Sequence, residues 1–495
     1  MRAASQYRQL LWFPPKHSVQ TCENRRSRHR DGKPACGVSE TATVKGRSRR
    51  LDAGTPFVAG TKPMTARNDA ADSSDTLASA IAVKAASHSP SGHRTSPQKA
   101  SQKIILFGFF GCGNFGNEGS LEAVVGFLRR ERPEAELLCV CGEPAVVKQA
   151  FAIATLSIRR NRAASGLSGW INRLLWKIPG KLADFARTFN HVRQADVMIF
   201  PGTGILDDFG EKPTGMPYDI LKWCLAARLA GTRIAFVSIG AGPIRNRLSR
   251  LFMTSAARLA QYRSYRDLQS REFMEGVGFD TRGDAIYPDL AFGLPTPIPS
   301  PPTRPEALRV GVGVMAYRGW YGFAEGGQSI FSGYVDRLAD FVVHLLDSGH
   351  DVRLLTGDAE DRIAVDALMA AVRNRRHTSQ LTHEQLNSLS DVMEQIALTD
   401  IVVATRFHNI VCALKMCRPT ISLSYARKND VLMEEMGLGE YCQHVETFNV
   451  ETLVAQFSQL AAARKKHEQA ISGRLAELKE QVDRQYASLL FNVIG

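Results

Sequence analysis

Arg406, His408, Tyr425 and Lys428 are the residues of this chain whose types and spacing best suit chemistry. They fall within one stretch, DIVVATRFHNIVCALKMCRPTISLSYARK, residues 400–428. Cations fix an anion, and an imidazole exchanges protons near neutral pH. The combination suits a small anionic substrate that undergoes proton transfer. The β-branched run Ile401 to Ala404 ends just before Arg406, and a second apolar run ends at Tyr425. A helix-length segment starting at Asn409 lies between them. If the two runs are neighbouring parallel strands, all four side chains gather at their carboxyl ends, where open α/β sheets bind ligands. An isolated histidine is more often a hydrogen-bonded structural residue than a catalyst. The strand-end position of His408, two residues past an arginine, weighs toward function.

Three glycine-rich turns follow other apolar runs. Gly111-Cys112-Gly113-Asn114-Phe115-Gly116 opens a helix and satisfies the dinucleotide pattern by letter. Its expected acidic partner, Glu143, comes later than the usual spacing, which argues against a nicotinamide cofactor. A tight strand-to-helix turn explains the glycines but not the polar cluster Asn114, Asn117 and Glu118. The turns Pro201-Gly202-Thr203-Gly204 and Gly240-Ala241-Gly242-Pro243 would let a ligand approach backbone closely and leave amides free for anions. As plain turn punctuation they would be unremarkable; three in one sheet favour a binding cleft. Arg266-Asp267, after a short strand, is by itself an ordinary surface or cap pair. His344 with His350, and His377 with His383, fit no common metal spacing, and no GxSxG elbow exists. No metal site is expected.

The elements that must hold these residues alternate regularly from Lys103 onward. Strands are expected at Ile104 to Phe107, Leu137 to Val140, Val197 to Phe200, Ile234 to Ile239 and Tyr262 to Tyr265. A helix with Leu121, Val124, Val125 and Leu128 on one face follows the first. Residues 160–193 read as helical, with Trp170, Leu174, Leu175 and Leu182 inward. The stretch LPTPIPSPPTRP, residues 294–305, marks a semi-rigid linker. Alternation resumes with Arg309 to Val314, a helix over 333–347, Val352 to Thr356 and a helix over 359–373. Residues 449–491 read as long helices with a Leu475, Leu478, Val482, Leu489 stripe. Strand–helix alternation indicates parallel, doubly wound sheets. The expected architecture is α/β: two Rossmann-like domains facing across a cleft, residues 101–297 and 306–448, then C-terminal helices, 449–495. Residues 1–100 lack periodicity and read as a disordered basic tail, with Met64 a second candidate start.

Composition narrows the function classes. Of the net charge of +13, +10 lies in residues 1–100, which hold 17 Lys and Arg against 7 Asp and Glu. The remainder is nearly neutral, which disfavours a nucleic-acid-binding face. Nine cysteines without a CxxC pair suggest reduced thiols, with Cys139, Cys141, Cys412 and Cys417 in apolar runs, and a cytoplasmic protein. No apolar run is long enough for a transmembrane helix.

Taken in order, these residues resemble the polysaccharide pyruvyl transferase family over about residues 103–445. The resemblance rests on the opening turn (Gly111, Gly113, Asn114, Gly116, Glu118), the glycine turn before Ile205-Leu206, and SIGAGP. It continues through Arg266-Asp267 with Ser270, PDLAF around Asp289, Arg406-Phe407-His408, and Tyr425 with Lys428. Asn117 stands where the family usually has Asp, Phe407 where Leu is usual, and Thr203 interrupts the second glycine turn. The resemblance implies a two-domain glycosyltransferase-like (GT-B-like) fold and transfer of pyruvate from phosphoenolpyruvate to two sugar hydroxyls, giving a cyclic ketal and phosphate. It implies Arg266, Arg406 and Lys428 as donor-binding cations and His408 as general acid. The opposite proton transfer falls to His408 or Glu118. Gly113, Asn114, Glu118, Gly202, Gly204, Gly240, Gly242 and Tyr425 are the expected substrate-binding residues. Phosphoenolpyruvate enters as donor substrate, and no cofactor is expected.

Two rivals share the scaffold: a nucleotide-sugar-dependent glycosyltransferase of GT-B type, and a non-catalytic carbohydrate-binding relative. A lipid-linked acceptor would draw the enzyme to the inner face of the membrane as a peripheral protein, with the basic tail assisting.

Overall fold

The computed structural model describes residues 101–159, 178–208, 211–300, 307–319, 326–376 and 379–495. The expectations for the basic tail, Trp170, Leu174, Leu175, His377 and residues 301–305 of the proline-rich stretch lie outside these residues. The described residues all fall within one compact unit, Lys99–Gly495.

Two parallel sheets organise that unit. The first has seven strands in the order β3-β2-β1-β4-β5-β6-β7. They are β1 Lys103–Phe107, β2 Glu136–Cys141, β3 Ala154–Ser157, β4 Val197–Pro201, β5 Arg233–Ile239, β6 Tyr262–Tyr265 and β7 Ala285–Ile286. The second has six, in the order β10-β9-β8-β11-β12-β13. These are β8 Arg309–Gly313, β9 Asp351–Leu355, β10 Leu381–His383, β11 Ile401–Ala404, β12 Thr420–Ser424 and β13 Cys442–His444. In each sheet the strand order reverses beside the first strand, which opens a crevice at the carboxyl ends there. The central strands β4, β8, β11 and β12 are buried almost throughout, which matches their unbroken apolar runs.

Four strands are absent from the periodicity reading: β3, β7, β10 and β13. Each is two to four residues long and only partly buried, so none carries an apolar run. The helix expected over 333–347 begins earlier, at Gly327, and the one over 359–373 starts as a 3-10 turn, Ala359–Asp361. Leu182, expected inward, is 65% exposed on the helix Ile178–Val192. Cys139, Cys141 and Cys412 are buried free thiols; Cys417 is free and half-buried.

The two halves are joined tightly. One hydrophobic core runs from the helix Phe115–Glu131, through the second sheet, to the C-terminal helix Arg464–Leu489. That last helix returns to the first half. Phe127 and Tyr486 stack at 4.1 Å, and Gln485 Nε2 donates to Ser264 Oγ at 3.0 Å. The Ser238 hydroxyl, 3.0 Å from Gln485 Oε1, donates to the Pro288 carbonyl at 2.8 Å. Ser238 has φ 47° at a register shift in β5, a left-handed conformation that these hydrogen bonds hold in place. The C-terminal helix thereby braces the chain segment that leads into Asp289.

Candidate functional site

Strand β11 delivers the central residues. After Thr405 the backbone is still extended at Arg406 (φ −70°, ψ 133°), and the helix Phe407–Lys415 begins two residues earlier than expected. His408 therefore sits in its first turn. Arg406 forks onto Asp361, with Nε to Oδ2 at 2.9 Å and Nη2 to Oδ1 at 2.6 Å. Asp361 is fully buried, and its remaining lone pairs accept from the Ala316 and Gly357 amides at 3.0 and 3.1 Å. Burial works against the Arg406 charge, but the Asp361 carboxylate outweighs it and holds the guanidinium firmly protonated.

Tyr425 directly follows the neighbouring strand β12, and Lys428 lies in the first turn of the helix Arg427–Glu435. Lys428 Nζ stands 5.1 Å from the Phe407 ring centroid and 5.4 Å from that of Tyr425. Burial pushes the Tyr425 phenol up, while Lys428, Arg406 and Arg266 pull it down, leaving it below its usual value. Among the described residues, no carboxylate lies within ion-pair distance of Lys428.

The first half supplies the rest. Arg266 follows β6 directly, and its guanidinium carbon is 5.5 Å from the same Phe407 ring. Phe407 thus carries one cation from each half. Arg266 is also 3.3 Å from Asp267 and 3.7 Å from Asp289. Asp289, which follows β7, is 4% exposed and caps a short turn by accepting from the Ala291 amide at 3.0 Å. His408 Nε2 lies 3.5 Å from Asp289 Oδ2, long for a hydrogen bond but within ion-pair reach. Burial raises the Asp289 carboxyl; His408 and Arg266 outweigh that and bring it down to about 2.

The glycine turns play a different part from the one expected. The Gly111 amide donates to Glu118 Oε1 at 2.6 Å, so a side chain of the protein itself occupies the place where a dinucleotide pyrophosphate would bind. Burial lifts the Glu118 carboxyl to about 7. Asn114 caps the helix by accepting from Asn117 N at 3.2 Å, and its amide reaches Asp358 of the second half at 3.2 Å. Gly113 accepts from the Ala359 amide at 2.9 Å, and Phe115 donates to the Gly357 carbonyl at 3.2 Å. This turn joins the two halves. A Cβ on Gly116 would lie 2.0 Å from the His408 ring, so only glycine lets the imidazole approach this helix.

The amides of Gly202, Gly240 and Gly242 are not free for anions, contrary to expectation. They donate to Val237, Thr203 and Leu206 carbonyls at 2.8, 2.8 and 3.1 Å, which ties the two turns to each other. A Cβ on Gly240 would lie 2.6 Å from the Arg266 guanidinium; a Cβ on Gly204 would lie 3.1 Å from Asp207 Oδ2. Gly240 makes room for Arg266. Gly202 packs against Ser120 and Leu290 instead.

Of the residues named from sequence, His408, Arg406, Lys428, Arg266 and Tyr425 converge. Asp289 enters the sequence reading only as part of a motif, and Asp361 does not enter it at all. The sole sequence signal for Asp361 is an acid just after a strand end in the same sheet, too common to identify a partner 45 residues from Arg406.

A sequence profile of the polysaccharide pyruvyl transferase family matches residues 114–427, more than half of the 495. The chain belongs to this family. The match spans Asn114, Glu118, Arg266, Asp289, Arg406, His408 and Tyr425, and stops one residue before Lys428. Among solved structures, one assigned as a UDP-N-acetylglucosamine 2-epimerase from Listeria monocytogenes aligns with a TM-score of 0.51 at 12% identity. That alignment covers 79% of this chain and 96% of that one. A further UDP-N-acetylglucosamine 2-epimerase gives 0.51 at 11% identity, covering 79% and 95%. Likeness at such identity shows the fold alone: two parallel-sheet domains of GT-B type. As in the sequence, no described helix is long and apolar enough to cross a membrane.

Proposed function

We propose that this family member transfers the pyruvate unit of phosphoenolpyruvate to two hydroxyls of a sugar, in a polysaccharide or its precursor, as a cyclic ketal. The observation that carries this reading is the contact between His408 and Asp289, with Arg266 and Lys428 beside it. Phosphoenolpyruvate carries a carboxylate and a phosphate. Arg266, from one half, and Lys428, from the other, are cations placed to receive them. Arg406 is already neutralised by Asp361, so it shapes the pocket wall more than it adds charge.

In the proposed reaction His408 gives a proton to the methylene carbon of the donor, and the adjacent carbon becomes oxocarbenium-like. One sugar hydroxyl forms a C–O bond to that carbon and loses its proton. The C–O bond to phosphate then breaks, and the second hydroxyl closes the ketal with loss of its own proton. Two hydroxyl protons are released and one is consumed at the methyl group; phosphate carries the other away. Asp289 aligns the imidazole, and Glu118, lifted to about 7, is a second group able to accept a proton near neutral pH.

The test is phosphate release from phosphoenolpyruvate over a panel of hexoses and amino sugars. His408→Ala and Lys428→Ala should each lose roughly 10²–10⁴-fold in turnover. Near-normal turnover in both variants overturns the assignment. Thermal protection by a nucleoside diphosphate sugar, but not by phosphoenolpyruvate, would instead support a glycosyltransferase.

A further inference from the structure

Three neighbouring helices on one face of the first sheet expose apolar side chains that folding does not explain. On the helix Met216–Ala230, Leu225 and Leu229 are four apart and exposed, Leu229 to 63%. They share a stripe with the half-buried Tyr218 and Leu221, at the spacing of one helix face. On the helix Arg247–Leu259, Leu248 and Leu251 are exposed, Leu251 to 56%. The rings of Tyr218 and Phe252 meet edge-on at 6.2 Å, which makes the two faces one surface. Lys181 lies over Tyr218 at 5.2 Å, and the exposed Leu182 follows it. The patch therefore extends onto the helix Ile178–Val192.

Cations outnumber acids around this surface. Residues 240–266 contain six arginines and no aspartate or glutamate. Arg263 and Arg266 turn inward to Asp284 and Asp289, but Arg247, Arg250 and Arg258 are exposed and flank Leu251. Arg228 stands exposed between Leu225 and Leu229. Asp184 and Asp219 are taken up by Lys222 at 2.7 and 3.2 Å, and Asp208 accepts from the Arg245 and Asn246 amides at 2.9 and 2.8 Å. A second copy of the chain docking through the same patch would set these arginines against each other. An anionic lipid surface meets both requirements, since leucines enter the headgroup boundary while arginines meet lipid phosphates.

We infer that the outward face of these three helices docks the protein onto an anionic bilayer. The helix Arg247–Leu259 starts just past the turn that makes room for Arg266, so the docked face borders the site and brings a membrane-held sugar acceptor within its reach. The inference does not depend on the donor chemistry.

The experiment is cosedimentation of the full chain with vesicles of phosphatidylcholine alone or mixed with phosphatidylglycerol, at low and high salt. Binding should require the anionic lipid. Leu248→Ser with Leu251→Ser, and separately Arg247→Glu with Arg250→Glu, should each reduce binding at least about fivefold with an unchanged thermal transition. Unchanged binding in both double variants would place any attachment elsewhere on the chain and overturn the proposal. So would a dimer, seen by sedimentation, that the leucine substitutions dissolve.

Discussion

Arg406 and Asp361 test the separation of structural from reactive charge. Asp361→Ala should leave a mostly buried guanidinium uncompensated and destabilise the protein by about 3–5 kcal/mol, read by denaturant unfolding. The double variant Asp361→Asn with Arg406→Met removes both charges, keeps an acceptor for one of the Ala316 and Gly357 amides, and should recover part of that stability without recovering activity. Glu118 offers a pH signature. Its folded value of about 7 lies above the ordinary 4.5, so the native state holds this proton more tightly than the unfolded chain. Below 4.5 the group is protonated in both states; as pH rises from about 4.5 to about 7, stability should decline through this group. Glu118→Gln keeps an acceptor for the Gly111 amide and should flatten that decline in urea melts between those limits. An unaltered slope would show that Glu118 is not the group responsible. His408, Arg406 and Lys428 are legible from sequence because each lies close to the end of a buried strand. Asp361 and the Glu118 contact are not, because a lone acid in a turn has no periodicity.

The helix Phe115–Glu131 shows how an element supports a site through the room it leaves as well as through the side chains it carries. Gly116 and Gly119 face the second half, and a Cβ at either would strike His408 or Leu389 at 2.0 and 2.3 Å. Gly126, on the same helix, has nothing within 4 Å of where its Cβ would stand. Gly116→Ala should therefore displace the imidazole and abolish most turnover, whereas Gly126→Ala should gain about 0.5–1 kcal/mol through helix propensity alone. Thermal melts and phosphate release together separate the two outcomes. At this scale the sequence is readable wherever burial is nearly complete: β1, β4, β8, β11 and β12 all show as apolar runs. The edge strands β3, β7, β10 and β13 have mixed composition because one side faces solvent, and their pairing depends on neighbours already in place.

Across the whole molecule, the C-terminal helix makes the first half depend on the last residues of the chain. Gln485→Leu would take one hydrogen bond from each of the buried Ser238 and Ser264 hydroxyls, which keep the Pro288 carbonyl and the Ser238 amide as partners, a cost of about 1 kcal/mol. It should also lower turnover, since the C-terminal helix packs against the Leu290–Gly293 turn that follows Asp289. A loss of stability with full turnover would remove the C-terminal helix from any positioning role. Strand–helix alternation makes the two-sheet plan legible in advance. The exposed leucines are not, because apolar residues at helical spacing read as core until a structure shows which side they face.

His408 and Asp289 ride on different sheets, as do the two cations over Phe407. Turnover in the proposed reaction is then a property of the angle between the sheets. An inhibitor that wedges the turn at Gly113 away from Ala359 should silence the proposed reaction without touching His408, Arg266 or Lys428.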